Sequence, residues 1–204
     1  MVRFNDMGDI SIRKGNENIQ DHHAVFADSS FFYVFTAPLI AGDRATALKE
    51  PNSIVIDESA ARRYFNSTDI IGKTLLIDNK TTCKITGVMK DMPRQSHVHF
   101  SFIRPLIDGF RGNADNWLGN NTHTYILVKP GVSQSFIQSC VDAAINNYLG
   151  KQLESFLHSS LKEVESKGNH FRYPLMPLKD IHLHSNKSYE FEANGNISYV
   201  YIFP

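Results

Sequence analysis

Long apolar runs are missing from this 204-residue chain. No stretch approaches the roughly 20 consecutive apolar residues that a membrane-crossing helix needs. Met1–Asp6 has no apolar segment of the kind a signal peptide carries. Taken at face value, these absences predict a soluble cytoplasmic protein. An excess of either charge is missing too: Lys+Arg and Asp+Glu both number 21, for a formal net charge of zero. Nucleic acid and anionic lipid attract a basic surplus or a basic stripe, and with neither present no nucleic-acid partner is expected. Cysteine is scarce. Cys83 and Cys140 share no short spacing, which excludes a zinc knuckle and a redox CxxC. They could form one disulfide in an oxidising compartment, but two unpaired thiols buried as small hydrophobes is the preferred reading. Catalytic signatures are lacking as well: no GxSxG, HExxH or SxxK, and no Gly-rich phosphate loop ending in Lys-Ser/Thr. Neighbouring acids such as Asp57 with Glu58, or Asp43 with Glu50, are better explained by helix capping and turn chemistry than by paired general acids. No catalytic residue and no cofactor is assigned.

What the chain does have is aromatic bulk, 14 Phe and 8 Tyr against one Trp, which suits half-buried pleated surfaces. Asp9–Arg13 alternates polar and apolar, Gly15–Asn18 reads as a turn, and Ile19–Ala27 returns as a second strand. The aromatic run Phe31–Phe35 is too short for an independent helix and reads as one or two turns plugged into a core. Ser53–Ile56 is a short strand that leads straight into a helix. Asp57 or Ser59 can cap that helix, and Arg62 and Arg63 near its end suit the helix dipole. Thr74–Asp78 and Thr82–Met89 form a hairpin around Asp78-Asn79-Lys80. Phe100–Ile103 and Thr122–Lys129 read as strands. Ser133 caps the strongest helix, in which Phe136, Ile137, Cys140, Val141, Ala144, Ile145, Tyr148 and Leu149 recur in one apolar stripe. Gly150 ends or bends it, and Leu153–Val164 continues as a second helix. Phe171–Leu178 and Ile181–His184 read as closing strands. The fold class is therefore α+β.

Two groups of side chains invite a site. Among nine histidines, His97-Val98-His99 and His182-Leu183-His184 have the HxH spacing that puts both rings on one face of a strand. His97, His99, His182 and His184 are weak metal candidates, because no acidic or cysteine ligand completes either pair. Residues 108–121 form a Gly/Asn-rich loop around Trp117 and Phe110. Either the two aromatics meet a partner, as Trp and Phe often do at interfaces, or the Trp tucks back against its own core.

Four ordered stretches carry a resemblance. They are Ala27–Phe35 with Pro38–Asp43, then Ala45–Phe65, then Ile71–Leu75 with Lys84–His97, and finally Pro177–Leu183 with Gly195–Phe203. Together they resemble the MacB-like periplasmic core domain of FtsX-type ABC transporter permeases, in particular those of Bacteroidetes. Within them, Gly72 and Gly87 stand where a turn or a close strand crossing excludes a Cβ. Tyr64 and Phe65 end a helix with apolar bulk that can dock on the following hairpin.

The resemblance implies a two-part α+β periplasmic domain. A porter-like strand–helix–strand subdomain takes residues 1–41 and 106–195, a small β-rich subdomain at 42–105 is inserted in it, and 196–204 lead into a transmembrane helix. The resemblance places the segment on the periplasmic side of the inner membrane, between the first and second transmembrane helices. It also implies a mechanical role without bond-breaking, passing ATP-driven motion to a periplasmic substrate or partner for export, efflux or envelope maintenance. ATP would be hydrolysed elsewhere. The implied partners are an ABC ATPase subunit, a second permease copy, and a periplasmic adaptor, outer-membrane or lipoprotein component. The competing expectation is a stand-alone soluble ligand- or metal-binding protein.

Overall fold

The computed structural model describes residues 1–109, 117–119, 121–181, 184–185, 190–192 and 195. The fold is mixed α+β, and the chain divides into two units. Unit 1 is Met1–Ala114 with Asn121–Leu127; unit 2 is Asp115–Asn120 with Val128–Pro204.

Unit 1 is built on a long antiparallel hairpin of β1 (Val2–Lys14) and β2 (Glu17–Ala27). Period-2 burial sends Val2, Phe4, Ile10 and Ile12 into the core. Between Phe4 and Ile10 the register shifts twice around Gly8, whose φ of +66° marks a bulge. The aromatic run folds as the short helix α1 (Phe31–Val34), and β3 (Leu39–Gly42) follows it.

β4 (Ser53–Asp57) is buried at every position, so both of its faces are covered, and it has a strand on each side. Those neighbours are β6 (Thr81–Met89), parallel to it, and β7 (Phe102–Pro105), antiparallel. A strand covered in this way reads as a continuous apolar run rather than an alternating one. Asp57 ends β4 and accepts from the Ala60 N–H, capping α2 (Glu58–Phe65). β5 (Thr74–Ile77) pairs with β6 through the turn Asp78-Asn79-Lys80, with both Asp78 and Asn79 at positive φ. That is the backbone a tight hairpin turn requires.

The eight-stranded sheet follows the order β2-β7-β4-β6-β5-β1, with β8 (His123–Tyr125) added on β1 and β3 added on β6. Because β1 also pairs with β2, this order returns to its start and the strands close into a small barrel. β1 meets β5 at a single pair, Ile12 with Ile77. The core holds Ile10, Ile12, Ile54, Ile56, Ile77, Ile85 and Phe102, with Ala60, Ala61 and Tyr64 of α2 packed on it. After β7 the chain makes the short helix α3 (Leu106–Gly109).

β1 pairs with β5 and with β8, and β2 with β7; residues 1–41 group with residues 42–105 in unit 1. Strand periodicity shows which face is buried but not which strand lies alongside, so the partner had to come from the fold. The expected lead-in at 196–204 lies outside the described residues.

Unit 2 carries the longer helices of the described residues. α4 (Gln134–Ala144) is capped by Ser133, whose Oγ accepts from the Phe136 N–H. It passes through a π-helical turn at Ile145–Leu149 into α5 (Gly150–Leu157), so the helix continues through Gly150. α6 (Leu161–Ser166) opens with a capping box between Ser160 and Glu163. Residues 171–177 are irregular chain rather than the expected strand, followed by a 3₁₀ turn at Leu178–Asp180. Pro174 and Pro177 lack the N–H donors a ladder needs. The chain instead lies along α4, held by Gln138, which accepts from the Leu175 N–H and donates to the Tyr173 carbonyl. No helix among the described residues is long and apolar enough to cross a membrane.

Candidate functional surface

Trp117 sits in a turn of unit 2. Its ring lies on Tyr148, with centroids 5.0 Å apart and planes 8° from parallel. Its backbone N–H donates to Gln152 Oε1 at 2.8 Å. The indole stays 37% exposed, so of the two expectations the structure takes neither whole: the ring leans on its own helix yet remains at the surface. Phe110 lies outside the described residues.

The helix under Trp117 presents two ridges of side chains spaced by four residues. One runs through Ile137, Val141, Ile145, Leu149 and Leu153, of which Ile145, Leu149 and Leu153 are buried. The other runs through Phe136, Cys140, Ala144, Tyr148, Gln152 and Phe156. Of these, Phe136 is 61%, Tyr148 56% and Phe156 71% exposed. In a regular α-helix with 3.6 residues per turn, each step of four drifts about 40° around the axis. The wider π turn at Ile145–Leu149 takes part of that drift back, which keeps both ridges straight for longer.

The single apolar stripe expected from the sequence is therefore split. Phe136, Cys140 and Tyr148, expected in the core, are exposed, and the buried ridge is the adjacent one. Residues at three- and four-residue steps cover both ridges, and periodicity alone does not say which one the neighbouring chain covers. The outer ridge contains no Asp, Glu, Lys, Arg or His. Such a strip binds by removing apolar area from water and offers no charge to steer a partner.

His97 and His99 lie on irregular chain rather than on a strand. His97 Nε2 is 3.1 Å from Tyr125 Oη, and its ring stacks on Phe35 within a cluster that includes Phe4 and Tyr125. His99 Nε2 donates to the Pro93 carbonyl at 3.0 Å. His184 is exposed and His182 lies outside the described residues. Among the described residues no three His, Cys, Asp or Glu side chains come together as a metal site.

The structural positions acquire specific contacts. Gly72 has φ +86°, and a Cβ there would meet only the Lys84 side chain, with Cε 4.0 Å away. A Cβ on Gly87 would lie 3.1 Å from Val55 Cγ2 and 3.3 Å from Leu39 Cδ2, where β3 and β4 flank β6. Tyr64 is buried, and its hydroxyl donates to Asp21 Oδ2 at 2.9 Å, while Arg63 reaches the same oxygen at 3.1 Å. Burial, together with that carboxylate, holds the Tyr64 hydroxyl well above the ordinary tyrosine range. Phe65 is half-buried under the Lys73 ammonium.

Other buried ionisable groups went unnoticed in the sequence. Arg104 pairs with Asp108 at 2.8 Å, and their side chains are only 7% and 4% exposed. Asp108 also accepts the Asn52 N–H at 3.0 Å. The i,i+4 spacing of Arg104 and Asp108 was the available signal, but it crosses a strand-to-helix junction. Burial pushes the Cys83 thiol up to about 11 and raises the Asp57 carboxyl above its usual range.

Residues 3–142 match the model of the MacB-like periplasmic core domain. A domain of a protein described as a permease, from Porphyromonas gingivalis, aligns with a TM-score of 0.62 and 25% identity, over 72% of this chain and 69% of that one. The periplasmic region of MacB from Actinobacillus actinomycetemcomitans aligns with a TM-score of 0.50 and 17% identity, over 83% and 76% of the two chains, a likeness of fold alone. Comparison with curated protein sequences finds no match.

Proposed function

The chain belongs to the MacB-like periplasmic core domain family, and from that membership we propose that it is the periplasmic domain of an ABC transporter permease, on the outer side of the inner membrane. Its work is mechanical. ATP is hydrolysed by a separate ATPase subunit, and the resulting motion passes through the permease to this domain, which hands it to a periplasmic substrate or partner. A second permease copy completes the assembly, and an adaptor, outer-membrane or lipoprotein component is the kind of partner it meets. The exposed ridge Phe136–Phe156 with Trp117 is the contact surface.

The observation that carries this reading is the family match over residues 3–142, which takes in the whole barrel and runs into α4. A closed barrel with a continuous apolar core supports it, since close-packed interiors pass on displacement rather than absorb it. The test is to express the full-length gene product and isolate it from membranes. Co-purification with an ATPase, and ATP-dependent changes in cross-linking at this domain, are the expected result. A gene product that lacks hydrophobic helices on both sides of this segment, or that fractionates free of membranes, would overturn the proposal.

A further inference from the structure

The exposed ridge of unit 2 has an order of its own. Read along the helix it runs Phe136, Cys140, Ala144, Tyr148, Gln152, Phe156. Turned end for end, the same ridge sets Phe136 against Phe156, Cys140 against Gln152 and Ala144 against Tyr148. A larger side chain then meets a small one on either side of the midpoint, and the end aromatics meet each other. A surface that fits its own reversed copy is what a two-fold contact between identical subunits requires.

Charge points the same way. A solvent-facing helix surface ordinarily carries charged residues. This ridge has no Asp, Glu, Lys, Arg or His, so two identical copies of it meet without setting like charge against like.

The area is sufficient. More than half of Phe136, Tyr148 and Phe156 is exposed, and more than a third of Trp117. At about 150–250 Å² for an aromatic side chain, that is roughly 350–550 Å² of aromatic surface per copy. Two copies, with Cys140, Ala144 and Gln152 between the rings, bury about 1,000 Å², where specific interfaces begin. The ridge is about 30 Å long at 1.5 Å per residue. The π turn at Ile145–Leu149 keeps it straight, so contact runs along its length.

We infer that the ridge docks a second copy of this chain, antiparallel, about a two-fold axis midway between Ala144 and Tyr148. Tyr148, braced by its stack on Trp117, seats on Ala144 of the second copy. This inference rests on the reading of the ridge as the contact surface, and it names the occupant.

The experiment has two arms, both on the full chain. Sedimentation from micromolar to millimolar concentration should show wild type passing from monomer to dimer. Ala144→Lys puts bulk and charge opposite Tyr148 and should weaken that association tenfold or more. Position 144 is only half-buried and lysine is a good helix former, so circular dichroism should stay unchanged. In the second arm, Gln152→Cys joins the exposed native Cys140. Each Cys140 faces position 152 of the other copy, so mild oxidation should link this variant into a dimer through two bridges. Within one copy the two positions are about 18 Å apart, too far to bridge. The two Cys140 thiols of a wild-type dimer are separated by the same distance and should stay unlinked.

A wild-type chain that stays monomeric at millimolar concentration would overturn the inference. So would a folded Gln152→Cys that does not link, wild type linked through Cys140 alone, or association untouched by Ala144→Lys. Gln152 accepts the Trp117 N–H, and if its replacement unfolds the chain, sedimentation of Ala144→Lys against wild type decides. Should wild type be monomeric while Tyr148→Ala strips a periplasmic partner from the full-length permease, the ridge remains a contact surface with a different occupant.

Discussion

Replacing Tyr148 with alanine separates a contact surface from a core. Tyr148 is 56% exposed, so truncation gives up less than half of the roughly 1.5–3 kcal/mol that full burial of a large apolar side chain confers. Its stack on Trp117 adds about 0.5–1.5 kcal/mol. The sum is about 1–3 kcal/mol, and alanine's helix preference returns a few tenths. A partner that covers the ridge in the assembled transporter would lose about 2 kcal/mol or more, roughly thirtyfold in affinity, as aromatic anchors at interface centres do. Urea unfolding of the chain gives the first quantity. Retention of the periplasmic partner by the full-length permease, titrated for Kd, gives the second. The expected pattern is a small stability loss with a large affinity loss, and Phe156→Ala, at 71% exposure, should show it more sharply. A stability loss above about 3 kcal/mol would mean that Tyr148 serves as core. Unchanged affinity in both variants would remove the ridge as a contact surface.

Three further outcomes follow from the barrel. Gly42→Ala should destabilise far more than Gly72→Ala in urea: both have positive φ, but a Cβ on Gly42 would lie 2.4 Å from the Thr86 backbone oxygen, while one on Gly72 meets only Lys84 Cε at 4.0 Å. About 1–2 kcal/mol is expected at Gly72 from left-handed strain alone, and equal losses at the two sites would refute the argument. Cys140 should react with a thiol reagent at pH 8 while Cys83, buried with its thiol raised to about 11, reacts only on unfolding; two fast thiols in the native chain would count against the core as described. Desolvation raises the Asp57 carboxyl, so the folded state holds that proton more tightly than the unfolded one. Stability contributed here is present at low pH and is lost as pH rises from the ordinary aspartate value through the raised one. Asp57→Asn keeps a capping oxygen and removes the buried charge, so it should match or exceed wild-type stability at pH 7 and flatten that part of the pH profile; a marked loss at pH 7 would show that the charge stabilises.

The elements governed by short-range physics were legible in the residues. Alternation gave the β1–β2 hairpin, Asp57 and Ser133 announced their helices, and the turn at Asp78-Asn79 announced β5–β6. The four ordered stretches pointed to the family whose model the chain matches. Each of these rests on a signal contained within a few neighbouring residues: a period, a cap, a positive-φ turn, a recurring word.

The tertiary structure alone decided what depends on distant partners. Nothing local told β1 to take β5 and β8 as neighbours besides β2 and so close the barrel. The split of the helix into a buried and an exposed ridge depended on where residues 171–177 lie, and the Trp117–Tyr148 stack on bringing together positions far apart in the chain. The Arg104–Asp108 pair became visible as a buried lock only once Phe26, Gly109 and Asn52 surrounded it. Burial is a property of the whole packed set, and a sequence read in windows shows which side chains prefer it but not which neighbours provide it.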